Sequence, residues 1–385
     1  MKPSIGELQG RIDHIQDQEK TGGLRLGLDR LFGVTHEIKS LSDSRGFQRI
    51  VQGAELPPGP AFESLGEAFC TFTGEPDASR FERVQAIYNG PTFLNALGAT
   101  FNKLLLKGYA GSDYHWRDLT SGIVSVPNFQ TQDAVRVQYI GDLPEVDEDE
   151  PYTDLTHAGD EKVSFTVSTR GGLLTVTRRA ILANDVAGIA RAVEQIRRAA
   201  WRTLAKVCWA KLISNANYDV DGVPLFHADH GNLGSAALSV AALNVARKSI
   251  FDQTEPGGTE KLGLSGPFLL AVPIELEPAA FMLGMCDEID GAANPWRGRF
   301  GLQGERIFAN PLMTDQNDWI LLDVSGNGGA IEIGFLGGRQ EPQVVLANAP
   351  SEGQAFRQDR VVYKVTHEYG LTVSDYRGVY KAEVS

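Results

Sequence analysis

Between Val135 and Asn215, two strand-like runs, Val135–Ile140 and Lys162–Thr169, flank a long acidic stretch. They lead through Gly171-Gly172 and a short strand, Leu173–Val176, into one amphipathic helix, Asn184–Ile213. Apolar residues recur at Val186, Ile189, Val193, Ile196, Ala200, Leu204, Val207 and Trp209 or Leu212, the alternating three- and four-residue spacing of a single buried stripe. At a rise of about 1.5 Å per residue the helix is ~45 Å long, enough to form the backbone of a domain. Asn184 or Asp185 can cap its start, and the turn chemistry of Asn215–Gly222 ends it. The two runs before the helix make a polar ribbon with almost no core of its own, and an isolated hairpin is marginal in water. Such an arm is expected to lie on another body. In a chain without a catalytic signature, the expected body is a neighbouring copy.

The rest of the chain is large enough for more than one domain: 385 residues, 42% hydrophobic and 22% charged. A net charge of -13 argues against broad phosphate binding, which needs clustered Lys and Arg. Arg191, Arg197, Arg198 and Arg202 on the long helix could form a local basic strip, and a solvated helix face accounts for them more simply. Cys70, Cys208 and Cys286 are far apart and lack metal-type spacing, the pattern of buried thiols in a reducing compartment. Met1–Lys20 has no apolar stretch of signal-peptide type, and no window reaches the length of a membrane span. The expectation is a soluble protein made in the cytoplasm.

Helices are predicted over Ile5–Gln18, Leu24–Phe32, His36–Gln52 and Ser64–Phe72, with a break at Pro57–Pro60. A further helix opens at Pro91 and runs to about Tyr109, its apolar face formed by Leu94, Leu97, Phe101 and Leu105. Residues 111–126 read as irregular. Asp142–Asp160 reads as a solvated acidic loop, since neither the glycine nor the closing glutamate of an EF-hand is in place. After the long helix come a helix over Ala242–Gln253, a fully apolar and therefore central strand over Phe268–Val272, and a helix over Leu276–Met285 that tolerates Pro278 in its first turn. Trp319–Val324 and Ile331–Leu336 read as a hairpin joined by Ser325–Gly329. The end reads as short strands broken by turns: Arg360–Val365, Leu371–Val373 and Val379–Val384. The whole is an α+β pattern without internal repeats.

Candidate chemistry is sparse. His227, Asp229 and His230 in the run FHADHGN could be metal ligands or an acid–base pair, but a zinc site would need a distant further ligand. A turn whose side chains bond backbone accounts for them better. Gly263–Pro267 lacks the strand–Ser–helix context of a nucleophile elbow, and the glycine pairs carry neither a Walker lysine nor a strand–GxGxxG–helix arrangement. Trp201 and Trp209 read as packing residues. No catalytic, cofactor-binding or metal-binding residue is assigned.

Seven segments, in this order and spacing, carry a resemblance: Gly171–Arg178 (GGLLTVTR), Asp221–Leu233 (DGVPLFHADHGNL), Leu269–Glu277 (LLAVPIELE), Thr314–Trp319 (TDQNDW), Ile331–Pro342 (IEIGFLGGRQEP), Tyr363–Gly370 (YKVTHEYG) and Asp375–Gly378 (DYRG). Together they resemble the major capsid proteins of tailed bacteriophages with the HK97 fold, in the Mu-like branch whose capsid part is sometimes fused to a ClpP-type protease. No single motif is specific. The likeness spans residues 90–385, and the first 90 residues hold no ClpP-like catalytic set.

The resemblance implies a helical N-terminal extension over 1–90, an N-arm over 91–135 and an E-loop over 136–170. It implies a P domain from 171–222 and 346–385, with its spine helix at 184–213, and an A domain over 223–345. It also implies a virion protein made in the host cytoplasm, which assembles with copies of itself into pentamers and hexamers of an icosahedral shell. Portal, scaffold or cement proteins would be further partners, double-stranded DNA would be contacted non-specifically, and no membrane is involved. Lys162, the one lysine near the E-loop, lies in a strand away from the acidic tip, so covalent cross-linking is not carried over. Two alternatives stand beside this reading. One is an encapsulin-like compartment, which the long N-terminal region disfavours. The other, of a different class, is a metal-dependent hydrolase centred on His227, Asp229 and His230.

Overall fold

The protein is described by a computed structural model. It describes residues 25, 28–32, 91–106, 114–136, 145–146, 161–177, 179–180, 183, 185–289, 291–294, 296–297, 302, 306–325, 328–346 and 360–384. The helices expected over Ile5–Gln18, His36–Gln52 and Ser64–Phe72, residues 24, 26 and 27 of that over Leu24–Phe32, and nearly all of the acidic loop lie outside the described residues. So do residues 137–140 of the first predicted arm strand.

The chain divides into two compact units. The first takes residues 1–111, 169–201 and 339–368. Its described part begins with residues 25 and 28–32, followed by helix α1, Pro91–Leu106. Its remaining elements are strand β4 (Ser168–Thr177), the start of the long helix α2 (Val186–Ile213), strand β12 (Gln343–Leu346) and residues 360–368 of strand β13 (Arg360–Val373). Strand β12 runs antiparallel to β13, and β4 also pairs with β13. The apolar stripes of α1 and α2 meet the sheet in one core that includes Leu94, Leu97, Phe101, Ile189, Val193 and Tyr363. Tyr363 is fully buried, meets Phe101 edge to face at 5.2 Å, and donates its hydroxyl to Leu94 O at 3.1 Å. A buried phenol needs such a partner, because an unsatisfied hydroxyl there would cost more than the ring gains.

The first unit corrects the sequence reading at β4. Gly171-Gly172 was expected to separate strands; instead both lie inside one ten-residue strand. The reason is close approach: a Cβ on Gly171 would stand 2.3 Å from Val365 O, while one on Gly172 would meet nothing within 4 Å.

The second unit takes residues 112–168, 202–338 and 369–385. Its larger sheet runs in the order β5 (Leu233–Gly234), β14 (Val379–Ala382), β10 (Trp319–Asp323), β6 (Phe268–Val272), β9 (Ile307–Ala309). Every residue of β6 and β10 is buried, which is why they are uninterrupted apolar runs and not alternating ones. Strand β6 is interior, as its composition predicts, with antiparallel β10 on one side and parallel β9 on the other. Helix α3, Val240–Phe251, is capped by Ser239, whose hydroxyl accepts from Ala242 N. Helix α4, Glu277–Met285, follows one turn of 3-10 helix at Ile274–Leu276 and holds Pro278 in its first turn. Both helices pack on this sheet around Trp296, Trp319, Leu243 and Leu283. Two short strands, β7 (Glu288–Ile289) and β8 (Ala292–Ala293), form a separate antiparallel pair.

Beside this sheet, strand β1 (Thr120–Val126) pairs in parallel with β11 (Ile331–Leu336), which runs antiparallel to residues 369–373 of β13. Three expectations are corrected here. Residues 120–126, read as irregular, are a strand, because their partner Ile331 and its neighbours lie more than two hundred positions away. Trp319–Asp323 and Ile331–Leu336 do not form a hairpin but belong to different sheets. Strand β10 already has β14 and β6 as neighbours, so the following glycine-rich turn carries the chain away and not back. Finally, Arg360–Val373 is one continuous fourteen-residue strand without the expected break. Because β14 pairs with β10 and β5, residues 369–385 group with 202–338.

Candidate functional site: the root of the two-stranded arm

Strand β2 (Gln132–Arg136) pairs antiparallel with β3 (Glu161–Phe165) in the register Gln132↔Phe165, Ala134↔Val163, Arg136↔Glu161. Alternation sends Ala134, Val163 and Phe165 inward, where all three are buried. Asp133, Lys162 and Ser164 face out, with Lys162 Nζ 2.7 Å from Asp133 and Ser164 Oγ donating to Asp133 at 2.9 Å. Phe165 rests on β11, where a Cβ on Gly334 would come within 2.4 Å of its ring. The ribbon was expected to have almost no core and to rest on a neighbouring copy; its described root is instead seated on its own unit. Only three of the six positions on that face carry apolar side chains, and a glycine in β11 opens the space the largest of them needs.

The last pair of the ladder, Arg136 and Glu161, enters a cluster of charges. Arg377 donates from Nη2 to Glu161 Oε1 at 2.8 Å and from Nη1 to Glu161 Oε2 at 3.0 Å, and also to Asp375 Oδ1 at 2.9 Å. Arg136 contacts the other oxygen of Asp375. Tyr218 donates its hydroxyl to Glu161 Oε2 at 2.9 Å. Two guanidinium groups therefore balance two carboxylates, and the fork geometry suits the guanidinium plane. Burial pushes the Glu161 carboxyl up, but the hydrogen bonds and charge of Arg377, with Tyr218 and Arg136, outweigh it and hold the group below its ordinary value. Burial followed by the Glu161 charge raises the Tyr218 phenol far above its usual range.

The cluster continues through an aromatic stack. The Arg377 guanidinium lies 4.6 Å from the centre of the Tyr376 ring, and Tyr376 stacks on His230 at 3.8 Å with the planes 8° apart. Nδ1 of His230 lies 3.0 Å from Leu225 O, and Nε2 lies 2.9 Å from Asp221 Oδ2. Burial would raise the Asp221 carboxyl; His230 and the Val223 N–H more than offset it and keep it low.

A cleft of about 290 Å³ opens against this root, lined by Arg136, Glu161, Glu332, Ser121 and Ser374 among others. Burial raises the Glu332 carboxyl. Ser121 and Ser374 share a hydrogen bond at 2.6 Å.

The histidine motif does not converge on one point. His230 is buried in the stack, whereas His227 is half-buried and Asp229 exposed, 3.3 Å apart. The segment turns back on itself through His230 N to His227 O and Gly231 N to Ala228 O, which places the two histidines on different sides. Asn232 ties the turn down, accepting from His227 N and donating to Leu225 O and Tyr376 O. Among the described residues no group of three His, Cys, Asp or Glu side chains could hold a metal ion. Of the basic strip on α2, Arg197 and Arg198 both reach Glu194, at 3.3 and 2.7 Å.

Sequence reasoning missed the arm-root cluster. Its one visible signal was the run Asp375-Tyr376-Arg377-Gly378, three polar or charged residues between apolar strands.

A family model described as phage capsid protein matches residues 160–382, more than half of the chain and all of this cluster except Arg136. The chain belongs to the phage capsid protein family. It is a structural component of a virion shell, and the arm root is a feature of a capsid subunit. A comparison with curated proteins finds no match. Among solved structures, the capsid protein of this chain is similar to the capsid of an empty GTA particle, at 14% identity and a TM-score of 0.45, covering 72% of this chain and 92% of that one. It is similar to the procapsid of bacteriophage JBD30, at 14% identity and a TM-score of 0.41, covering 77% and 76%. It is also similar to a phage-related protein from Bordetella bronchiseptica RB50, at 11% identity and a TM-score of 0.45, covering 74% and 96%. These likenesses are too distant to carry an argument.

Proposed function

We propose that this capsid protein is the major head protein of a tailed phage, built on the HK97 plan, whose copies form the pentamers and hexamers of an icosahedral shell around double-stranded DNA. Residues 136–170 act as the E-loop, α2 as the spine of the P domain, and the sheet containing β6 and β10 as the centre of the A domain. The observation that carries this reading is the arm root: a two-stranded ribbon in a capsid-family chain, locked at its base by Arg377, Glu161, Asp375 and Arg136. A rigid base sets the direction in which the ribbon leaves the subunit, and an extended arm reaching a neighbour adds interface without enlarging any one core. The acidic net charge fits a shell that contacts packaged DNA weakly.

Sedimentation and negative-stain microscopy of the expressed protein test this. Capsomers or closed shells are expected. A compact monomer at high concentration overturns the proposal.

A further inference from the structure

Helix α4 is apolar on nearly every side, yet only Ala280, Leu283 and Gly284 are buried. A helix that is hydrophobic all round is ordinarily covered on all sides. Here Met282 is 60% exposed, Phe281 55% and Met285 42%, and Ile274 on the preceding turn is 64% exposed. Contiguous apolar patches of a few hundred Å² on a soluble protein mark interaction sites.

A second, smaller patch lies on α3, where Val245 is 60% and Phe251 38% exposed, on either side of Lys248. Both helices cover the same face of the five-stranded sheet, since both contribute to one core. They cover opposite halves of it: α3 packs on β14 and β10, α4 on β6 and β9. The two patches therefore sit toward opposite edges of one layer. Their charges are complementary, with exposed Glu275 and Glu277 at the start of α4 and Lys248 on α3.

We infer that α4 of one copy docks on α3 of the next, a head-to-tail contact that repeats around a ring. This rests on the capsid reading above and names the surfaces that join neighbouring subunits. A contact between two different patches closes only by rotation, whereas a two-fold contact would pair each patch with itself.

The test uses the full chain with Met282→Glu on α4 and, separately, Val245→Glu on α3, followed by sedimentation velocity and thermal melting. Both side chains are exposed, so the unassembled variants should melt as the wild type does. Each variant alone should need roughly tenfold more protein, or higher still, to assemble. Mixed together, the two variants should form a discrete pair and no ring, because one intact α4–α3 contact survives between them. Assembly of either variant at wild-type concentrations overturns the inference while leaving the capsid reading intact. So does a mixture that recovers no pair, or a lowered melting point that shows the face to be covered by its own chain. A wild-type chain that never assembles overturns the capsid reading itself, and this inference with it.

Discussion

The guanidinium of Arg377 grips both carboxylate oxygens of Glu161, a residue 216 positions upstream, at 2.8 and 3.0 Å. Both side chains are largely buried, so neither charge can turn to water if the other is removed. Breaking such a pair from one side costs about 3 kcal/mol or more. Arg377→Ala is expected to destabilise the unassembled subunit by about that amount in denaturant melts. Arg377→Lys, which keeps the charge and loses the fork, should cost less. Pairing each with Glu161→Gln in a double-mutant cycle should show non-additivity; strictly additive losses would mean the two act independently.

Phe165 is expected to act on folding before it acts on assembly. Its ring is buried against Gly334, within the subunit that carries it. Phe165→Ala should lower stability by about 3 kcal/mol or more. Gly334→Ala should also destabilise, since the new methyl group and the ring would occupy the same space. Melting curves of the unassembled subunit check both, and an unchanged midpoint for Phe165→Ala contradicts the seating described above.

His367 is buried in the first unit, with Nε2 2.8 Å from Gln340 O. Burial is the main cause of its low pKa, about 4 against the ordinary 6.5, opposed by the Gln340 hydrogen bond and assisted by the Arg170 charge. The folded state thus holds the ring neutral, while the unfolded chain takes up its proton from 6.5 downward. The stabilisation is complete above pH 6.5 and is lost as pH falls toward 4, to a total of about 3 kcal/mol. Stability measured across that window should fall with acid in the wild type, and His367→Gln should flatten the slope.

Adjacent glycines in β4 should behave differently. Gly171→Ala drives a methyl group toward Val365 O and is expected to cost about 1–3 kcal/mol, whereas Gly172→Ala faces open space and should be nearly silent. Equal effects at the two positions would rule out the close approach as the cause.

These cases also show which parts of the molecule could be read in advance. The long helix, the buried strand Phe268–Val272 and the helix carrying Pro278 were legible because each depends on local spacing or on one residue's stereochemistry. Strand β1 was not, since its pattern of exposure alternates poorly and its partner is β11. Gly171 was mistaken for punctuation, because a glycine demanded by close backbone approach looks the same in sequence as one demanded by a turn. The arm-root cluster draws on positions near 136, 161, 218 and 377, and no spacing rule joins four such segments. The His227–Asp229–His230 run had the right chemistry at the right proximity; only the turn geometry separates its members.

Residues 137–160 are bracketed by the paired residues Arg136 and Glu161, which the ladder and the cluster hold together. The entropic work of bringing those two chain ends together is done at the clamp, and closing a longer loop between fixed ends costs only slightly more. Foreign peptides spliced between them should leave the parent fold intact, which makes this position a natural mount for displayed cargo.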